Sequence, residues 1–456
     1  MSALATELAT IDLGDQRLNR RARRVLEKLG AKPTVSIPTA CGGWGETRAA
    51  YRLFDQETVT AERVLAPHIA CTEERIRAYP RVLCIQDTTE LDDTTKKGIA
   101  DLGPLNDETR WGMYLHPTLA VTPERVPLGL LDLYSWAREP GSLGQSKGSN
   151  RPLEDKESVR WVDGFARVNA LAEQLPDTRL AYLADREGDL YDLFVEAPCP
   201  ERGADWLIRG QYHDRLLADG RKLRTALDEA PVLTEVTFER PPACGRRART
   251  VEQQIKAVRV TLKAPWRPDR TLADVTVTAL LATEVSPPVD EDPLDWLLLT
   301  NLTVETPEQA LEKLAWYLCR WQIEVFFKIL KSGCRIEELQ LEKRARLEPA
   351  IVFYLIIAWR VLFLTRLGRD CPEMPCDTVF DEAEWKAVYL VTQRQAPPAE
   401  PPSLDTMVRL VATLGGFLNR KGDGFPGPQT LWIGLQRAAD FVLALEAQRS
   451  VDASCG

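Results

Sequence analysis

The sequence predicts an α/β protein whose central sheet is interrupted by a long β-rich segment and flanked by helical regions. Three observations carry this prediction. The apolar runs at 81–86 and 179–184 each pass directly into an aspartate, as central strands entering a loop do. β-branched runs separated by proline- and arginine-rich turns occupy much of 205–300. Helical periodicity dominates before residue 79 and after residue 306.

At 456 residues the chain is too long for one ordinary domain, and we divide it into a helical module over 1–79, a core over 80–366 with an insertion at about 205–300, and a helical region over 367–456. With 44% hydrophobic and 27% charged residues it has the composition of a globular protein with a large core. No uninterrupted apolar run of membrane-spanning length and no N-terminal signal peptide is evident. Ten scattered cysteines without a C-x-x-C pair, and three histidines in all, argue against structural zinc and for reduced thiols, so a cytoplasmic location is expected. A net charge of −9 weighs against a nucleic-acid protein, because phosphate binding relies on Lys and Arg. Its distribution weakens that objection: Arg17, Arg20, Arg21, Arg23, Arg24, Lys28 and Lys32 face one acid, Glu27, within 16–32, while 370–384 is acidic.

In the N-terminal module Asp15 can cap a helix over 16–29 whose buried stripe is Leu18, Ala22, Val25 and Leu29. Further helices are predicted over 47–54 and 61–76. Arg20, Arg23 and Arg24 are candidate DNA contacts on the first of these; an ordinary basic surface helix is the alternative. The run Arg81-Val82-Leu83-Cys84-Ile85-Gln86 reads as a strand ending at Asp87. An acid just beyond a strand end is exposed at the sheet edge and rigidly held, as a metal ligand must be. Asp92 and Asp93 compete with it from the following loop. Strands over 114–122 and 128–137 come next, then a basic Gly/Ser-rich loop (141–151) expected to be mobile, then a helix over 157–175. The run 179–184 ends at Asp185, followed by Glu187 and Asp189 in one short turn. For Asp189, chemistry at the start of the helix over 190–196 is the better reading. Between Asp185 and Glu324, strands are predicted at 233–238, 258–262, 275–281 and 295–301, the last carrying Trp296.

One long helix is expected from Thr306 to Leu341, opened by a capping box of Thr306 and Gln309 with Pro307 in the first turn. At 100° per residue Leu311, Leu314, Leu318, Val325, Ile329 and Ile336 share one apolar stripe, and Tyr317, Arg320, Glu324, Lys328 and Lys331 share another. One carboxylate set among cations and a hydroxyl suits a metal ligand beside a phosphate-binding surface, although periodicity alone leaves open a solvated face with ordinary ion pairs. A second long helix is predicted over 347–366, a linker with a short helix over 370–402, and two helices over 404–417 and 431–446. The Gly-rich stretch between those two lacks a P-loop pattern and a preceding strand, and is a loop.

The spacing Tyr317-x2-Arg320-x3-Glu324-x6-Lys331 resembles the signature of bacterial insertion-sequence transposases of the DDE, RNase H-like type, and the segment 43–55 resembles that family's N-terminal motif. The likeness covers most of the chain in patches. It implies an RNase H-like catalytic core, an N-terminal DNA-binding module and a C-terminal dimerisation region. It also implies Asp87, Asp185 and Glu324 as catalytic metal ligands, with Asp185 preferred over Glu187 by its Asp-Arg-Glu context. Three carboxylates without imidazole or thiol form a hard oxygen site suited to two Mg2+ or Mn2+ ions acting on a phosphodiester. Tyr317, Arg320, Lys328 and Lys331 would contact DNA phosphates, and Trp296, otherwise a core residue, would stack near an extruded base. The partners implied are double-stranded DNA, as element ends and target, and a second copy of the chain. The expected activity is excision through a hairpin intermediate followed by joining to target DNA. The alternatives are a nuclease of the same fold that never joins strands, and a non-catalytic DNA-binding inhibitor of transposition.

Overall fold

A computed structural model of the chain describes residues 4–96, 99–143, 152–196, 203–240, 248–267, 270–289, 291 and 293–455. Most of the basic loop over 141–151, from residue 144 on, lies outside the described residues.

The first helix, α1 (Gln16–Ala31), is opened by Asp15, whose carboxylate accepts the Arg17 amide at 2.7 Å. Ala22, Val25, Leu26 and Leu29 are buried, whereas Leu18 is only partly so. A short α2 (Ile37–Cys41), not evident from periodicity, begins with Pro38 in its first turn and stops at Gly42, whose φ of 72° lies in the left-handed region. Helices α3 (Trp44–Phe54) and α4 (Ala61–Ile76) follow the expected bounds closely. This module is sewn to the rest of the protein. The buried Glu7 carboxylate meets His68 Nδ1 at 2.6 Å and an Arg75 guanidinium nitrogen at 2.8 Å. His68 Nε2 accepts the Leu130 amide at 3.1 Å, which fixes α4 against the central sheet.

Eleven strands among the described residues form one mixed sheet. In chain order they are β1 (Arg81–Gln86), β2 (Thr89–Asp92), β3 (Gly103–Pro104), β4 (Trp111–Val121), β5 (Pro127–Trp136), β6 (Arg179–Ala184), β7 (Asp205–Arg209), β8 (Val232–Arg240), β9 (Arg249–Leu262), β10 (Val275–Glu284) and β11 (Asp295–Thr300). Their core order is β5-β4-β1-β6-β7, with β5, β4 and β1 antiparallel and β1, β6 and β7 parallel, as in an RNase H-like fold. The helix α5 (Val159–Gln174) links β5 to β6 and α6 (Tyr191–Glu196) follows β6. Residues 205–209 therefore belong to the central sheet and not to the insertion. The insertion, which also holds α7 (Leu223–Glu229), is not a separate body. β11 pairs antiparallel with β7, and β10, β9 and β8 extend the same sheet outward.

The long helix expected over 306–341 is broken. The Thr306–Gln309 capping box opens α8 (Pro307–Cys319), Arg320 interrupts it, and α9 (Trp321–Lys328) continues it. A π-turn over Ile329–Gly333 follows, closed by Cys334 N donating to the Ile329 carbonyl at 2.8 Å. Gly333 lies against Trp432 so closely that a Cβ there would come within 2.9 Å of the indole. Arg335, at φ 52°, ends the helical path, so Ile336 lies in a separate 3₁₀ turn. Helix α10 (Arg344–Asp370) is long and apolar enough to cross a membrane, but it lies within the protein core along most of its length. α11 (Glu382–Gln393), α12 (Leu404–Leu414) and α13 (Pro428–Cys455) complete the chain, with α13 packed on α11 and α12. The described cysteines whose state is defined, Cys41, Cys71, Cys84, Cys319, Cys334, Cys371 and Cys376, are free thiols.

Candidate active site

The site forms where β1 and β6 end. These strands run parallel with Ile85 opposite Leu183, and carrying that register forward two residues sets Asp87 beside Asp185. Asp87 also sits in a gap between two strands that share one register on β4. Gln86 pairs with Thr118 and Thr89 with Leu115, which puts Pro117 opposite Asp87. Proline has no N–H to give to the ladder, so the pairing lapses there and β2 resumes beyond it. The carboxylate at the gap is nonetheless firmly held: Asp87 Oδ1 accepts the Thr88 amide at 2.8 Å.

Glu324 arrives from α9. Arg320, one helical turn earlier, donates to Asp87 Oδ2 at 2.6 Å and to Glu324 Oε1 at 2.7 Å, tying helix to strand end. Burial pushes the Asp87 carboxyl up to about 6; the Arg320 charge opposes this shift, while the charges of Asp185 and Glu324 add to it. Asp87 thus senses both of the other carboxylates electrostatically. Among the described residues no three carboxylate, imidazole or thiol groups already enclose a cation position. The guanidinium held between Asp87 and Glu324 is direct evidence that this pair accommodates positive charge, and a donor set of carboxylate oxygens alone fits a hard divalent metal.

The competing acids have other partners. Asp92 accepts from the Thr94 hydroxyl at 2.5 Å, the Thr94 amide at 3.0 Å and Arg110 Nε at 3.1 Å, contacts that hold its carboxyl below the ordinary range. Asp93 is buried against Lys96 at 2.6 Å. Glu187 accepts from Arg160 at 2.6 Å, while its own amide donates to Asp185 Oδ1 at 2.8 Å. Asp189 is buried and receives the Gln211 and Tyr212 amides at 2.7 and 3.2 Å, so it fixes a loop and does not begin a helix.

The basic and aromatic candidates divide. Tyr317 and Arg320 are buried rather than on a solvated face, and Trp296 is half-buried with its ring edge-on to Tyr317 at 6.2 Å. Lys328 is exposed, and Lys331 lies 3.6 Å from Glu337. Leu311, expected on the apolar stripe, is exposed. In α1, Arg20 is exposed, but Arg23 Nε donates to the Leu8 carbonyl at 3.1 Å and Arg24 pairs with Glu46 at 3.0 Å. Two further cations join the site. Arg209, at the end of β7, approaches the Tyr317 hydroxyl and opposes the upward shift that burial gives the phenol. Arg160, buried on α5, reaches Thr88 Oγ1 at 3.3 Å as well as Glu187, so it braces the segments that follow both strand-end aspartates. An arginine directly after the apolar Leu207-Ile208 was the available signal for Arg209; Arg160 had none, because its partners are remote in sequence.

Three known families match parts of the chain. Residues 1–59 match the transposase DNA-binding family, 164–360 the transposase DDE domain, and 356–455 the transposase Tn5 dimerisation domain. Asp185 and Glu324 fall inside the second of these spans and Asp87 precedes it. A piggyBac transposase synaptic complex with hairpin DNA aligns over 64% of this chain and 48% of its own, at 8% identity and a TM-score of 0.31. This chain thus spans about half the length of that transposase.

Proposed function

The chain belongs to the DDE transposases, with a DNA-binding domain before the DDE domain and a Tn5-type dimerisation domain after it, and on that premise we propose that it excises and inserts its own mobile element. The substrates are double-stranded DNA element ends and a target duplex, and the working form is a homodimer on DNA. The observation that carries this reading is the juxtaposition of Asp87 and Asp185 at neighbouring strand ends, with Arg320 linking Asp87 to Glu324.

DDE chemistry depends on divalent metal, and Asp87, Asp185 and Glu324 are the residues that would hold it, as two magnesium or manganese ions. When bound, such ions supply charge stabilisation at the attacking and leaving oxygens of the phosphodiester. The protein's own groups do the rest. Arg320, Lys328 and Lys331 neutralise flanking phosphates and Tyr317 offers a hydroxyl donor, contacts that position DNA without reading its sequence. Arg209 adds a cation where β7 meets Tyr317. Trp296 presents an aromatic face beside Tyr317 for a base displaced when the strand bends into a hairpin. Arg20, with its exposed neighbour Arg17, contacts the backbone of the element end.

The test is incubation of the full-length protein with duplexes carrying the element ends and magnesium, with nicks, hairpins and joined strands resolved on a denaturing gel. Joined product is expected. Cleavage without joining would reduce the protein to a nuclease, and binding without any cleavage would reduce it to an inhibitor of transposition.

A further inference from the structure

Beyond the carboxylate site, the β7–α7 loop and the β9–β10 loop enclose an open cleft of about 900 Å³. Its walls hold two large aromatic side chains turned to solvent, Tyr212 at 54% and Trp266 at 78% exposure. Isolated exposed aromatics are unremarkable, but two lining one cleft, with Leu216 also 46% exposed, form a patch that suits a ligand.

Both walls are anchored to the segment that follows Asp185. The buried Asp189 holds the Gln211 and Tyr212 amides and pairs with Arg215, whose guanidinium lies 5.1 Å from the Tyr212 ring centre. The buried Asp192 pairs with Arg267 at 3.2 Å and with Arg270, tethering the loop that carries Trp266. The aromatic pair is thus held by carboxylates four and seven residues beyond the second strand-end aspartate. Its polar lining is mixed: Lys263 is exposed with no ion pair among the described residues, Arg215 lies behind Tyr212 with its charge met by Asp189, and the one acid, Asp214, is offset by Lys222 at 3.3 Å.

We propose that this cleft is a second DNA-binding site, which takes unpaired nucleotides by stacking their bases on Tyr212 and Trp266 while Lys263 meets a phosphate. Flat aromatic faces beside an exposed ammonium select single-stranded nucleic acid, because bases in an intact duplex present no free face. The inference rests on the transposase reading, since strand separation near the cleavage point supplies the unpaired nucleotides.

The test uses the full-length protein and two labelled probes: a single-stranded oligothymidine and a fully paired duplex carrying the element end. Tyr212→Ala and Trp266→Ala should each weaken oligothymidine binding about tenfold or more and leave duplex binding unchanged. Trp266→Phe should retain most of the affinity, and Lys263→Ala should lower the salt dependence of oligothymidine binding by about one unit. Both aromatic side chains are solvent-exposed, so unchanged melting curves are expected and separate the effect from misfolding. The proposal is overturned if both alanine variants bind oligothymidine as the unaltered protein does, if single-strand and duplex binding fall together, or if the unaltered protein binds the duplex and ignores oligothymidine. Binding to neither probe would instead defeat the transposase reading on which the proposal stands.

Discussion

Arg320 donates to Asp87 Oδ2 at 2.6 Å, yet the Asp87 carboxyl is pushed up to about 6 because burial outweighs the ion pair. The unfolded chain would hold this proton only to about 3.8. Between those values the folded protein binds a proton that the unfolded chain has released. The stability contributed by this group is therefore complete below about pH 4 and is lost as pH rises through about 6. Asp87→Asn should accordingly stabilise the DNA-free, metal-free protein at pH 7.5 by about 1–3 kcal/mol, with about a third of that effect at pH 4.5. Arg320 keeps Glu324 as its partner in that variant. Thermal melts of both proteins at the two pH values check this, and an unchanged or lowered melting temperature at pH 7.5 would refute it.

Loss of the Asp87 carboxylate should also remove activity. Asp87→Ala, Asp185→Ala and Glu324→Ala are each expected to abolish nicking while binding to element ends stays within a few-fold, since phosphate contacts are retained. Glu187 is the internal control. It is paired with Arg160 at 2.6 Å, so Glu187→Ala should leave a measurable nicking rate. Cleavage surviving Asp185→Ala but lost in Glu187→Ala would transfer the role to Glu187.

The residues legible from sequence were those fixed by local pattern. Asp87 and Asp185 each end an apolar run, and the Thr306–Gln309 box announces its helix, so the structure places these features where periodicity puts them. What was not legible depends on remote partners. The π-turn before Cys334 lies against Trp432, nearly a hundred residues away, and no local signal encodes that contact. β7 has only a short apolar core, Trp206-Leu207-Ile208, so its membership of the central sheet follows from parallel pairing with β6. The burial of Tyr317 and Arg320 reflects the strand ends of β1 and β7 closing over one helix face, which a helical wheel cannot anticipate.

Arginines in α1 illustrate the same point and separate two outcomes. Arg23 holds the Leu8 carbonyl and Arg24 pairs with Glu46, whereas Arg17 and Arg20 are exposed. Replacing Arg17 and Arg20 together by Ala should lower the salt dependence of end binding by up to ~2 units without altering the melting temperature. Arg23→Ala should instead lower the melting temperature, because it removes a contact that secures the segment before α1. Salt titrations of DNA binding beside thermal melts distinguish the two. An unchanged salt slope in the double variant would move the recognition surface off this helix.

Trp296 offers the sharpest division between packing and chemistry. Its ring meets Tyr317 edge-on at 6.2 Å, but the residue is only half-buried, so part of its surface remains available. Were it purely a core residue, Trp296→Ala would cost roughly 3–5 kcal/mol and depress every step together. As a stacking surface for a displaced base it contributes ~1–3 kcal/mol at one step only. Bending a strand into a hairpin forces a base out of the stack, whereas the first nick makes no such demand. Trp296→Ala is therefore expected to nick at a near-normal rate while hairpin formation falls about tenfold or more. Because Tyr317 loses its aromatic neighbour, Trp296→Phe serves as the companion variant and should recover most of the hairpin rate. A time course of nick and hairpin, run beside a melting curve, decides between the two roles: proportionate loss of both products with a lowered melting temperature would leave Trp296 a packing residue.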